Sequence, residues 1–260
     1  MAEPLRSYQA RAATAGTRTD AYIDEGLRAY MIRVYNLMAL GLAITGVAAL
    51  GTVWFATTGD PSAAVATLPN GKLLTAFGAA LYGSPLRWIV MLAPLGLVFF
   101  LSARVHTMSL SAAQTTFWVF AALMGMSLSS IFLVYTTGSI VQTFFITAAS
   151  FGALSLFGYT TKRDLTGWGS FLIMGVFGLI IAMIVNIFLA SPALQFAISA
   201  IGVLVFAGLT AYDTQKIKEM YFEGDEVLVA GRKAIMGALT LYLDFINLFT
   251  FLLSFLGNRE

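Results

Sequence analysis

Seven stretches of this chain stay apolar for about twenty residues, the length an α-helix needs to cross a hydrocarbon core. They run at roughly 31–55, 86–104, 112–135, 139–160, 168–189, 193–215 and 233–257. In lipid each backbone N–H and C=O must be satisfied within its own segment, so such stretches have to be helices. The expected fold is therefore all-α, a polytopic membrane protein with seven transmembrane helices. The links TTGS and ASPA are so short that the helices they join must form antiparallel hairpins. The longest link, between the first and second spans, opens on GDPS and continues as the moderately apolar GKLLTAFGAALYG. That run is expected to lie along the interface or dip into it. The chain shows no inserted soluble domain and no clear internal repeat.

Composition narrows the chemistry. Only 11% of residues are charged, against about 25% in soluble domains, and a net charge of +2 gives no argument for nucleic acid. The absence of cysteine excludes disulfides, thiol catalysis and cysteine metal sites, and one histidine cannot make a histidine-rich metal site. No HExxH, GxSxG or P-loop occurs, so an enzyme is not expected. Tyr212-Asp213 half-mimics the YD of an intramembrane aspartyl protease, but Asp244 sits in LYLDFIN without the accompanying glycines.

Residues 1–28 are polar and read as a flexible cytosolic tail, leaving 29–260 as the seven-helix domain. The tail lacks the apolar core of a secretory signal. Its Arg-bearing, Ala/Thr-rich start, to Thr19, is faintly similar to a mitochondrial transit peptide, which keeps a mitochondrial membrane as the alternative location. With the N-terminus inside, twelve of the fifteen Lys and Arg residues fall on the inner side, and only Lys72, Arg87 and Arg259 fall outside. This bias favours a cytoplasmic N-terminus. Seven spans then put the C-terminus outside; a re-entrant last segment would put it inside.

Two aspartates lie within the apolar stretches, Asp213 late in the sixth and Asp244 near mid-depth in the seventh. A carboxylate at the centre of a spanning helix costs about 2.5–3.5 kcal/mol on the mildest scale, so it marks a functional site or a buried structural hydrogen bond. Asp244 belongs to a stripe of Gly237, Thr240, Asn247, Phe251 and Ser254, mostly small or polar, which must face protein or water. The two aspartates come from neighbouring antiparallel helices. They meet only if the sixth helix continues past the membrane edge or the seventh begins late. If they meet, two carboxylates in a low-dielectric site resist ionising together and titrate as a unit. Such a site can hold a proton, bind a cation transiently or take an arginine as counter-ion. Arg104, at the inner end of the second span, is the candidate arginine, ordinary snorkelling being the plainer reading. In the fifth span Gly175, Gly178, Ala182, Asn186 and Ala190 share a face, which reads as a packing surface with Asn186 as an interhelical donor. The loop KEMYFEGDEVLVAGRK lacks the carboxylate spacing of a calcium loop and reads as a solvated linker.

The blocks AYDTQKIK (211–218) and ALTLYLDFINLFTFLLSFLG (238–257) resemble the closing motif of the Bax inhibitor-1 family, and the bacterial branch in particular. The resemblance implies a seven-helix fold with the last helix central in the bundle. It implies a hydrogen-bonded pH-sensing pair at Asp213 and Asp244, a calcium leak along the central path, and a latch on the pair from a helix-two basic residue, for which Arg104 is the nearest match. Calcium would be the permeant ion, held transiently by Asp213 and Asp244, with Thr240 and Asn247 supporting the path and no resident cofactor. A helix-two glutamate of that branch has no counterpart, since MLAPLGLVFF contains no acid; conductance is then expected to be weaker or to follow other residues. The expected function is a pH-sensitive calcium leak in a bacterial inner membrane, with bilayer lipid, protons and calcium as partners. The alternative is an interaction protein that modulates a quality-control membrane protease or a stress or cell-death pathway, using the tail as contact. A proton-coupled transporter is a third reading.

Overall fold

The chain begins its regular structure with one long helix, α1 (Glu3–Ala56), whose segment Glu25–Ala56 is apolar enough to cross a membrane. The computed structural model describes residues 3–259, with side chains from Glu25 onward. The backbone is thus helical where composition suggested an irregular tail. Most of that tail's side chains, and with them its expected contact role, lie outside the described residues. The segment is rich in Ala and Arg, both good helix formers, which fits a helix that runs on from the first span.

The long link folds as a small cap. Strands β1 (Thr57–Thr58), β2 (Ala66–Thr67) and β3 (Leu73–Leu74) form an antiparallel sheet in the order β1-β3-β2, with Leu74 opposite both Thr57 and Ala66. Helix α2 (Ala76–Gly83) follows, and its N-cap Thr75 accepts from the Gly78 amide. The apolar run GKLLTAFGAALYG is therefore a strand and a short helix, too short to span. Two side chains of the cap dock on the third span: Asn70 Nδ2 donates to the Leu133 carbonyl at 2.7 Å, and Lys72 Nζ to that of Phe132 at 2.8 Å.

The remaining spans are α3 (Leu86–Arg104), α4 (Leu110–Leu128) continued after a break at Ser129–Ser130 by α5 (Ile131–Val134), α6 (Thr137–Thr160), α7 (Thr166–Leu189), α8 (Pro192–Glu219) and α9 (Val227–Leu256). With α1 these give seven membrane-length spans among the described residues. Their starts follow ordinary capping chemistry: Ser109, Thr136 and Ser191 each accept from a backbone amide of the first turn, and Pro192 occupies the position where its missing N–H is harmless.

Helix α9 is the most enclosed span, with 61% of its most apolar window buried, against 11% in α3 and α7. It packs on α1, α4, α6 and α8. Tyr242 is fully buried and meets the rings of Phe117 and Phe120 edge-on, while Phe245 meets Phe144 and Phe151. Helix α9 is one continuous helix of 30 residues, long enough to cross completely without re-entering. Its end pairs with the turn between α5 and α6: the Thr136 amide donates to the Asn258 carbonyl and the Asn258 amide to Ser139 Oγ, at 3.1 and 2.9 Å. The end of α9 therefore sits at the same end of the bundle as that turn.

Candidate functional site

Helices α8 and α9 make one of the most extensive contacts in the molecule. Their register can be read from small residues: Gly237 packs on Ile217, Gly202 on the ring of Phe251, and Ser199 Oγ bonds Ser254 Oγ at 3.0 Å. The small-and-polar stripe of α9 thus faces α8. Helix α8 continues to Glu219, about 42 Å for 28 residues, which exceeds the roughly 30 Å hydrocarbon thickness. This overrun satisfies the first of the two conditions for the aspartates to meet.

They do meet. The carboxyl groups of Asp213 and Asp244 lie side by side, close enough to act on one another. Asp244 is 4% exposed, and its Oδ2 is buried with no donor among the described residues apart from the neighbouring carboxyl group. Asp213 is half-buried, and Lys216, one turn on along the same helix, is within electrostatic reach of it. Lys216 is exposed, its Nζ 5.8 Å from the ring centre of Tyr212.

The structure does not bring Arg104 to the pair. Arg104 is exposed at the end of α3, which packs on α2 and α4 rather than on α8 or α9, and among the described residues it forms no ion pair. The latch expected at Arg104 is absent from this conformation, because two helices stand between α3 and Asp213. Thr240 and Asn247 lie on the stripe as expected and are half-buried, but each bonds its own helix, Thr240 Oγ1 to the Met236 carbonyl at 3.1 Å and Asn247 Nδ2 to that of Leu243 at 2.8 Å. Asn186 does donate between helices, to Gln195 Oε1 at 3.1 Å. Of its face, Gly175 touches Val205 whereas Gly178 faces open space. The loop after α8 is less solvated than its composition suggested: Asp225 Oδ2 accepts from Lys233 Nζ at 2.6 Å with 14% of its side chain exposed.

Two hydrogen-bonded nodes flank the pair. Ser155 of α6 bonds Tyr35 of α1 at 2.6 Å and Thr214 of α8 at 2.9 Å, so three helices are tied beside Asp213. On the other flank Thr45 of α1 bonds the Tyr242 hydroxyl at 2.6 Å and lies 2.9 Å from the Ala121 carbonyl of α4. With one proton on each hydroxyl, Tyr242 donates to Thr45 and Thr45 donates to a carbonyl. Lone Thr, Ser and Tyr residues in apolar runs carry no pattern that marks them as partners, so sequence reasoning missed both nodes; the nearest signal was their neighbour, the aspartate itself. Thr45→Val strands the buried Tyr242 hydroxyl and is expected to cost about 1–3 kcal/mol. Tyr242→Phe removes the stranded group with the bond and should cost about 0.6–1 kcal/mol. Thermal unfolding of the two purified variants in one detergent checks the order.

A family model described as inhibitor of apoptosis-promoting Bax1 matches residues 27–260, nearly the whole chain. The chain belongs to the Bax inhibitor-1 family. Relatives within reach of full length include a Caulobacter vibrioides protein, 50% identical over 247 residues that cover 94% of each chain. A Rickettsia prowazekii protein is 49% identical over 244 residues, 94% of this chain and 95% of its own. The inner membrane protein YbhL of Escherichia coli is 45% identical over 247 residues, 94% of this chain and 98% of its own. The family match spans every membrane segment, and both aspartates fall within it.

Proposed function

We propose that this Bax inhibitor-1 family protein is a pH-sensitive, calcium-permeable leak channel of a bacterial inner membrane, with the Asp213–Asp244 pair as its proton-operated gate. The observation that carries the reading is the pair itself: two carboxyl groups side by side between α8 and α9, one of them buried with no other donor for its Oδ2 among the described residues. Bringing two like charges together inside a bilayer is expensive unless the site trades them against a proton or a cation. The position of the pair suits a gate. It sits at the most buried helix contact, and none of the larger cavities among the described residues is lined by either aspartate. Passage of an ion therefore requires α8 and α9 to part, and the charge on the pair sets how readily they do. The proposed path follows the stripe of α9 past Thr240 and Asn247. Location in an inner membrane is supported by the naming of the Escherichia coli relative as an inner membrane protein, and a cytoplasmic N-terminus by the placement of twelve of the fifteen basic residues.

The test is calcium flux into liposomes carrying the purified protein, measured against pH beside Asp213→Asn/Asp244→Asn. Wild type is expected to give a flux that changes with pH, and the double variant a flux that does not. Equal pH dependence in both would remove the pair from the mechanism. No flux above empty liposomes at any pH would leave the interaction-protein reading. Deletion of residues 1–28 separates the two: a channel keeps its flux, whereas a protein that works through its tail loses its partner.

A further inference from the structure

Helix α1 packs on α4 and α9, and helix α6 on α8 and α9, while α1 and α6 themselves touch only sparsely, at contacts such as the Tyr35–Ser155 hydrogen bond. Between them runs a groove in two chambers. The deeper, of 620 Å³, has Phe245, Ile246 and Phe249 of α9 as its floor and Met38, Phe144 and Phe151 among its walls. The shallower, of 550 Å³, is lined by Tyr35, Ser155 and Tyr159, with Arg28 at its mouth. Met38, Ala39 and Phe151 line both chambers, so the groove is continuous. Its rims at Leu50 and Phe145 are 57% and 67% exposed, so it opens sideways into the bilayer. Among the described residues Arg28 is the one charged side chain lining either chamber. It is exposed and makes no hydrogen bond or ion pair among the described residues.

We propose that this groove is a binding site for one anionic phospholipid, its phosphate on Arg28 and an acyl chain running between α1 and α6 onto α9. Three observations select this occupant. A lateral opening in a spanning bundle meets hydrocarbon, and each chamber has the size of a small-ligand site, about 300–1,000 Å³. Among the described residues no carboxylate lines the chambers, which suits a lipid tail and not a cation. The length also fits: from Arg28 to Leu42, where α1 lines the deeper chamber, is about 21 Å along the helix, somewhat more than half of the roughly 30 Å core. A phosphate on Arg28 therefore sends the chain end into the deeper chamber. The shallow chamber also touches Ser155, whose bonds to Tyr35 and Thr214 lead to the neighbour of Asp213. Lipid in the groove then bears on the same helices that hold the aspartate pair.

The experiment uses the full chain in phosphatidylcholine vesicles doped with phosphatidylglycerol that carries a photoreactive group at the acyl-chain end. The expected result is labelling of the α6 wall around Phe144, Ala148 and Phe151. Ala39→Trp, which plugs the junction of the chambers, should abolish it. Labelling of the lipid-facing surface of α7 at Phe177 and Ile187 should persist as the internal standard. Ala148→Trp, from the opposite wall, repeats the test should Ala39→Trp fold poorly. Arg28→Gln should reduce phosphatidylglycerol labelling about fivefold, to the level given by photoreactive phosphatidylcholine. Undiminished α6 labelling in both tryptophan variants would overturn the site. Equal labelling of the wild type by the two lipids would overturn the anionic headgroup, and cross-links between copies of the chain in place of lipid would give the groove to a second subunit.

Discussion

Gly158→Val is expected to lower the thermal midpoint of the purified protein by about 2–12 °C, where 1 kcal/mol corresponds to roughly 2–4 °C at this size. A Cβ at Gly158 runs into the carbonyl oxygen of Ala211, where α6 and α8 touch backbone to backbone. Backbone cannot rotate aside as a side chain can, so the helices must separate. Overpacking of this kind costs about 1–3 kcal/mol, and more where nothing yields. The displaced segment lies two residues from Asp213 and next to the Ser155–Thr214 bond, so the geometry of the pair should fail together with stability. Gly178→Val is the control, because a Cβ there meets nothing within 4 Å; its midpoint should shift by less than about 0.5 kcal/mol equivalent. Size-exclusion profiles after graded heating, with the two variants side by side, check both expectations.

The second large effect concerns stability and function in opposite directions. Asp213→Asn/Asp244→Asn is expected to fold as well as wild type or better at neutral pH, by up to about 3 kcal/mol, while the pH response of calcium flux disappears. A lone carboxylate at the bilayer centre is unfavourable by about 2.5–3.5 kcal/mol, and buried ionic groups replaced by neutral ones of like size are often neutral or stabilising changes. Asparagine keeps the volume and adds N–H donors, one of which can bond the partner side chain. Thermal unfolding and vesicle flux on the same preparation test the pair of outcomes. A large loss of stability in the double variant would mean that the aspartates are structural partners.

The seven spans were legible because lipid imposes one rule on every residue of a segment, and a twenty-residue apolar run has no other solution. The boundaries at Leu86, Arg104, Thr160 and Leu189 fall within a few residues of those read from hydropathy. The aspartates were legible for the same reason, as charges where charge is costly. That they meet depends on α8 running on to Glu219, which hydropathy hides because Lys216, Lys218 and Glu219 lower the local average. Arg104 shows the limit of reasoning by type. A basic residue at the right depth says nothing about which neighbours its helix has, and α3 packs at the outside of the bundle on α2 and α4. The β-strands of the cap, two residues each, are too short to leave a periodic signal.

Helix α9 is synthesised after the six other spans and is also the span most enclosed by the rest. At about 5–20 residues per second, its thirty residues occupy the ribosome for some seconds after α8 is complete. During that interval α1, α4, α6 and α8 stand around a space that only α9 can fill, with Thr45 and Ser199 still waiting for Tyr242 and Ser254. A message truncated before codon 227 therefore yields six inserted helices with no interior. Such a product should be cleared by membrane proteolysis, and a separately expressed α9 should rescue it only when made in the same bilayer.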